Sequence, residues 1–186
     1  MDRHDALAGA LAALQDAALD AESWPSAWAS IEEACGNVGN SLIVAGGSGS
    51  KATVHFSQFF HHGQRRSDLE REYFQVYFPH DERIPRLRQL PDGQVTPVRD
   101  LYSEEERKAS AAYNEWVCRL GNQNGLNVRL NGPDDTRIVW SLGSPIASGG
   151  WGSAEFELIR ELLPHIRQFV RIRQALAGAG ALGVSF

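Results

Sequence analysis

The sequence predicts an α+β domain in which helices flank an antiparallel sheet and a long helix follows the last strand. Three observations carry this prediction. Apolar residues recur at helical spacing at both ends of the chain, two separate pairs of segments alternate at strand spacing, and turn residues join the members of each pair. With 186 residues and 42% hydrophobic composition, the chain can fill one core, and we predict a single domain over residues 1–186.

Two helices open the chain. The first is predicted over residues 3–20. Its Leu7, Leu11 and Leu14 recur at helical spacing and form a narrow seam, which is typical of a helix that packs on another helix. The second helix is expected to end at Gly36, because glycine readily takes the left-handed conformation that closes a helix.

Two pairs of strands are predicted, one on each side of a polar middle segment. Residues 41–45 and 52–60 form the first pair. Residues 125–131 and 136–143 form the second pair, in which apolar and polar residues alternate most regularly. Sequential, half-polar strands favour an antiparallel sheet, and we expect helices to cover one of its faces. A GAF-like or PAS-like module is the α+β architecture that fits this order best.

The middle segment is expected to be helical. Its first helix is predicted to begin at Ser67 and to break at Pro79 and again at Pro85, because proline lacks the backbone donor that a helix interior needs. Ser103 and Glu106 have the spacing of a capping box, which predicts the start of another helix.

The final helix is predicted over residues 153–178 and carries two apolar stripes. One stripe is enough to cover the sheet, so the second requires another helix, either the N-terminal leucine seam or the same helix of a second copy. We expect residues 3–20 and 153–178 to be dimerisation elements, and Phe169→Glu to separate a dimer into folded monomers. The candidate dimer-interface residues are Leu7, Leu11, Leu14, Leu162, Ile166, Phe169, Arg173 and Leu176.

Composition and motifs exclude several classes of function. The net charge of −5 argues against a chain that binds nucleic acid by itself, and no apolar run reaches membrane-spanning length, so we expect a cytoplasmic protein. Cys35 and Cys118 match no metal-binding spacing, and His61 and His62, neighbours on a strand, point to opposite faces. We therefore predict no metal, no cofactor, no membrane contact and no catalytic residues.

Aromatic residues from both strand pairs and from the middle helices are expected to meet between sheet and helices. They form either an ordinary aromatic core or the wall of a cavity that takes a small molecule, with a few polar groups to orient it. The candidate pocket residues are Phe56, Tyr73, Tyr77, Asp81, Trp116, Arg129 and Trp140.

Several segments also resemble a known family. The stretches "EYFQVYFPHDERIPRL", "LYSEEERKASAAYNEW", "GLNVRL" and "LLPHIRQFVRIRQAL" are similar to the N-terminal regulatory region of bacterial LuxR-type helix-turn-helix transcriptional regulators, over nearly the whole chain. The resemblance implies a ligand-sensing and homodimerising module that controls a C-terminal DNA-binding domain. The sequence itself shows no helix-turn-helix pattern, so contact with DNA is expected only through a C-terminal domain absent from this chain.

Two alternatives remain open at this point. One is a stand-alone small-molecule-binding protein or enzyme, which would place a defined polar cluster in the pocket. The other is a dimeric interaction scaffold with a filled core and no ligand.

Overall fold

A six-stranded antiparallel sheet forms the centre of the computed structural model, which describes residues 3–47, 53–147 and 149–183. The strands are β1 (Gly39–Gly46), β2 (Thr53–His61), β3 (Gln64–Arg65), β4 (Val95–Pro97), β5 (Leu126–Asn131) and β6 (Arg137–Leu142). Their spatial order is β3-β2-β1-β6-β5-β4, and each neighbouring pair is antiparallel. The predicted α+β class is confirmed, and the predicted hairpins form the four inner strands.

Helical segments cover both faces of this sheet, not one face as the sequence led us to expect. The helices are α1 (Arg3–Leu19), α2 (Trp24–Cys35), α3 (Ser67–Glu72), α4 (Arg83–Gln89), α5 (Glu104–Ala109) and α6 (Ser153–Gly183). The first face packs against α1, α2 and α6. Over the second face lie the middle helices and two π-helical turns, Tyr73–Tyr77 and Ala112–Cys118. The second face needs this cover because it carries apolar side chains such as Phe59 and Ile43.

Local signals in the sequence place most helix ends correctly. Gly36 closes α2 in the left-handed conformation with φ of 66°. Ser103 and Glu106 form the complete capping box, each side chain bonding the backbone N–H of the other, ahead of α5. Two expectations are wrong: Pro85 lies inside α4 near its start instead of breaking a helix, and α6 extends to Gly183 instead of ending near residue 178.

The second stripe of α6 is used inside the domain. Phe169 is only 3% exposed, and its ring centroid lies 4.2 Å from that of Trp24 and 6.4 Å from that of Trp28. These two tryptophans belong to α2, and α6 also lies against α1. Of the two partners that the sequence allowed, the structure therefore places the N-terminal helices against this stripe.

This burial corrects the predicted dimer interface. Four of the eight candidates are buried in the domain core and present no surface to a second copy, and two more are partly buried against that core. The buried residues are Leu14, Leu162, Ile166 and Phe169, and the partly buried ones are Leu7 and Leu11. Only Leu176, at 45% exposure, and the partly exposed Arg173 remain accessible on α6.

Replacement of Phe169 should therefore unfold the domain rather than separate two copies. We expect Phe169→Ala to lower the free energy of unfolding by about 3–5 kcal/mol, because it removes a buried ring from a packed aromatic cluster. Phe169→Glu should cost more, since it also buries a charge. Urea denaturation measures both losses. Leu176→Ala is the matched control, and an equal loss in Leu176→Ala and Phe169→Ala would contradict the burial described here.

Candidate functional site

A cavity of about 140 Å³ lies between the second face of the sheet and the middle helices. Its floor is formed by alternate residues of β1, β5 and β6. Leu42, Val128 and Trp140 point to the helical layer of the first face and are fully buried there. The residues between them in each strand face the cavity, because successive side chains of a strand point to opposite sides.

Three rows of side chains make up the cavity floor, the third of which pairs Arg137 with Ala45. In one row, Asn127 pairs with Ser141, which in turn pairs with Ser41. The Asn127 side-chain amide donates to the Ser141 hydroxyl at 2.6 Å, while its Oδ1 atom is enclosed without a partner. In the next row, Arg129 pairs with Val139. The floor therefore combines hydrogen-bonding groups, an aliphatic patch and a positive charge.

The wall opposite the floor is aromatic. Tyr73 and Trp116, from the two π-helical turns, lie with ring centroids 5.3 Å apart. Phe59 completes this cluster from β2, with centroids 5.7 Å from Tyr73 and 6.2 Å from Trp116. A π-helical turn inserts an extra residue into a helix, and such turns are frequent at functional sites. Here both turns bring a large ring to the same cavity.

A buried ion pair holds the wall in place. The Asp81 carboxylate, whose side chain is 0% exposed, accepts hydrogen bonds from the Arg83 guanidinium, at 2.6 Å for the shortest, and from the Arg83 backbone N–H. The hydroxyls of Tyr73 and Tyr102 also donate to Asp81, at 2.9 Å and 3.1 Å. Five donor atoms therefore meet one carboxylate: the backbone N, Nε and Nη2 of Arg83 and the two tyrosine hydroxyls. The network ties Tyr73 and α4 to the segment that follows β4.

The charges of this network are stabilised in the folded state. Burial alone would raise the pKa of Asp81, but the charge of Arg83 and the hydrogen bonds from Arg83 and Tyr73 outweigh it, so the pKa lies below its ordinary value. Burial raises the pKa of both Tyr73 and Tyr102, and the Asp81 charge raises each further. Both hydroxyls therefore stay protonated and act as donors.

His61 adds a neutral polar group at the end of the cavity near Asn122. Burial lowers the pKa of His61, and the neighbouring His62 and Arg66 lower it further, against a backbone hydrogen bond with Leu120 that raises it. Its Nε2 atom is enclosed and has no hydrogen-bond partner. Such an atom can bond a group that enters the cavity.

The predicted pocket residues divide into three groups. Tyr73, Trp116 and Arg129 line the cavity. Tyr77 and Asp81 lie behind the wall, where Tyr77 stacks near Trp116 with centroids 5.5 Å apart. The prediction for Phe56 and Trp140 is corrected, because both belong to the core on the first face of the sheet.

Strand register explains this correction. Trp140 pairs with Val128, so it shares the face of Val128 and lies opposite to Arg129. Phe56 pairs with Val44, whose side chain is buried in the helical layer. The same register identifies cavity residues that the sequence prediction missed. They are Ser41, Asn127, Arg137, Val139 and Ser141, together with His61 and Phe59 on β2.

Within residues 3–47, 53–147 and 149–183, no three His, Cys, Asp or Glu side chains come together as a metal-binding group. None of the helices in these ranges has the length and apolar character needed to cross a membrane.

Two solved structures share this fold. The VqsR LBD domain from Pseudomonas aeruginosa matches with a TM-score of 0.61 and 15% sequence identity, over 89% of this chain and 94% of its own. CepR2 from Burkholderia cenocepacia, an N-acylhomoserine lactone dependent LuxR family transcription factor, matches with a TM-score of 0.55 and 15% identity, over 93% and 94%. No family model and no curated protein sequence matches this chain. The chain thus has the fold of LuxR-family ligand-binding domains.

The buried ion pair supports a stability prediction. We expect Asp81→Asn to lower the free energy of unfolding at pH 7 by about 3–5 kcal/mol, because it leaves the Arg83 guanidinium buried without a counter-charge. The pKa of Asp81 is lowered in the folded state, so its contribution is present at neutral pH and is lost as the pH falls below the ordinary aspartate value of about 3.9. The difference in free energy of unfolding between the wild type and Asp81→Asn should therefore become smaller in acid.

Urea denaturation at pH 7 and at several pH values below 4 tests this prediction. Asp100→Asn is the matched control, since Asp100 pairs with Arg99 at 3.7 Å on the surface and both side chains are more than half exposed. Its effect should stay within about 1 kcal/mol. Equal losses in the two variants at pH 7 would contradict the role given to Asp81.

Proposed function

We propose that this chain is the ligand-sensing domain of a bacterial LuxR-type transcription regulator and that its cavity holds a small molecule. The observation that carries the proposal is the cavity with an aromatic wall and a polar floor, in a fold shared with LuxR-family ligand-binding domains. Ligand occupancy would then be relayed to a DNA-binding domain. Such a regulator acts in the cytoplasm, which is the location we propose.

Unpartnered polar atoms favour a ligand over a simply incomplete core. The Oδ1 atom of Asn127, the Nε atoms of Arg129 and Arg137 and the Nε2 atom of His61 are all enclosed without a hydrogen-bond partner. Each such atom costs free energy while it stays unpaired, and these four lie around one space. A ligand that bonds to them removes this cost.

The composition of the cavity supports binding over catalysis. Among the described residues that line it there is no Asp, Glu or Cys, so the paired carboxylates and thiol nucleophiles of common enzyme mechanisms are not found there. The two structural neighbours are a ligand-binding domain and a transcription factor. We therefore propose a sensor and not an enzyme.

Filling the cavity should abolish ligand retention without unfolding the domain. Ala45 lines the cavity, and Ala45→Phe would place a ring in the space beside the floor. We expect native mass spectrometry of the protein purified from its bacterial host to show a bound small molecule on the wild type and none on Ala45→Phe.

The control for this experiment is Ala45→Ser, which should retain the molecule because it leaves the space open. Thermal unfolding checks that all three proteins are folded. The sensing function would be contradicted if neither the wild type nor Ala45→Ser carried a molecule and neither was stabilised by any compound of a metabolite panel.

We further propose that the domain forms a homodimer through the last turns of α6. From Ala175 to Gly178 every residue is exposed, and Leu176 is 45% exposed. A helix end that projects into water without packing is only marginally stable by itself. A second copy of the same helix would cover Leu176 across a two-fold axis.

Leu176→Glu tests this dimer. We expect light scattering to show a fall in mass from two chains to one, with the thermal midpoint changed by no more than a few degrees, because the side chain is exposed in the monomer. Leu19→Glu is the matched control, since Leu19 is 73% exposed at the end of α1. A wild type that is already monomeric, or a Leu176→Glu variant that stays dimeric, would rule out this interface.

A further inference from the structure

We propose that the cavity selects a small organic anion, with Arg129 and Arg137 binding a carboxylate that is joined to an aromatic or other apolar body. This inference rests on the proposed sensing function and specifies the class of ligand. It depends on the position of the two arginines, on the charges around them and on the shape of the remaining cavity.

The two arginines lie side by side on the cavity floor. Arg129 of β5 pairs with Val139 of β6, and Arg137 lies two residues before Val139 on the same face. Residues in this diagonal relation have Cα atoms about 7–8 Å apart, within reach of one another's long side chains. The residue beside Arg137 on β1 is Ala45, whose small side chain leaves space above the pair.

Neither arginine is neutralised in the part of the chain that the structure describes. No Asp or Glu carboxylate there forms an ion pair with Arg129 or Arg137, and the Nε atoms of both are enclosed without an acceptor. Arg137 donates one hydrogen bond, from Nη1 to the Gly47 carbonyl at 3.2 Å. Arg83, which also lines the cavity, differs because it is paired with Asp81.

Two adjacent guanidinium groups with enclosed donors favour an anion. Their like charges repel each other, and the Nε atom of each is enclosed without an acceptor, so an uncharged ligand would leave the repulsion in place. A carboxylate offers two oxygens to the planar N–H groups of an arginine and neutralises the pair. A primary amide of the same shape presents an NH₂ group to these donors, so it lacks both the second acceptor oxygen and the negative charge.

The rest of the cavity defines the body of the ligand. The rings of Phe59, Tyr73 and Trp116 form the wall, and Val139 lies beside Arg129 and between Arg137 and Ser141 along β6. The volume of about 140 Å³ is comparable to that of a cavity, about 150 Å³, known to hold benzene. A single-ring aromatic acid is therefore the size of ligand that fits.

Matched acids and amides test the inference directly. We would titrate the wild-type protein by calorimetry with benzoate, phenylacetate and 3-phenylpropionate, and with the amide of each acid. N-hexanoyl homoserine lactone serves as a neutral compound of the kind on which the neighbour CepR2 depends. We expect at least one acid to bind at least tenfold more tightly than its amide.

Substitutions of the two arginines test whether they cause the preference for the acid. Arg129→Gln and Arg137→Gln should each weaken the binding of the tightest-binding acid by about ten- to a hundredfold, because each removes charge-assisted hydrogen bonds. The affinity for the amide of that acid should stay unchanged. Arg129→Lys should recover part of the affinity. Arg160→Gln is the matched control, because Arg160 is an exposed arginine on α6, on the first-face side of the sheet. Thermal unfolding confirms that each variant is folded.

The outcomes separate this inference from the sensing function. Binding of the lactone or of the amides, with no preference for the acids, would overturn the anion selectivity and leave the sensing function standing. The selectivity is also wrong if no acid binds at millimolar concentration. An acid preference that persists in both glutamine variants would overturn the assignment of Arg129 and Arg137.

Discussion

The pairing of β6 with β1 and β5 is the interaction on which the core and the cavity both depend. Successive side chains alternate between faces, so the pairing of Val128 with Trp140 sends both into the helical layer and leaves Arg129 on the cavity side. A slip of one residue would exchange the two sets, placing a guanidinium in the apolar core. The free-energy cost of burying that charge makes the observed register strongly preferred.

Helix α6 connects the two halves of this arrangement. It packs against β5 on the first face of the sheet and against α1 and α2 on its other side, which is why it carries two apolar stripes. The opposite face of β5 contributes Asn127 and Arg129 to the cavity floor. One strand, β5, therefore separates the cavity from α6. In the proposed sensor, β5 is the element through which a ligand in the cavity would act most directly on α6.

Local signals in the sequence were sufficient for most elements, but not for β3, β4 or the site. Gly36 and the Ser103–Glu106 capping box act over a few residues, so their effects can be predicted without tertiary structure. The face of Phe56 depends on the pairing of β2 with β1, in which Phe56 lies beside Val44, and no local signal fixes that register. The partner of the second α6 stripe was equally undetermined, because α1 and a second copy offer similar apolar surfaces.

Asp81 illustrates how a residue can shape a site without facing it. By pairing with Arg83, it cancels the charge of an arginine that does line the cavity, while its bonds to Tyr73 and Tyr102 hold the aromatic wall. Among the described residues, the positive charge left without a carboxylate on the floor is then that of Arg129 and Arg137, while Arg88 of α4 also lines the cavity and is not without a partner. A localised charge orients a ligand, whereas a charge on every wall would not distinguish its two ends. The buried ion pair therefore contributes to ligand selectivity because it neutralises the charge of Arg83.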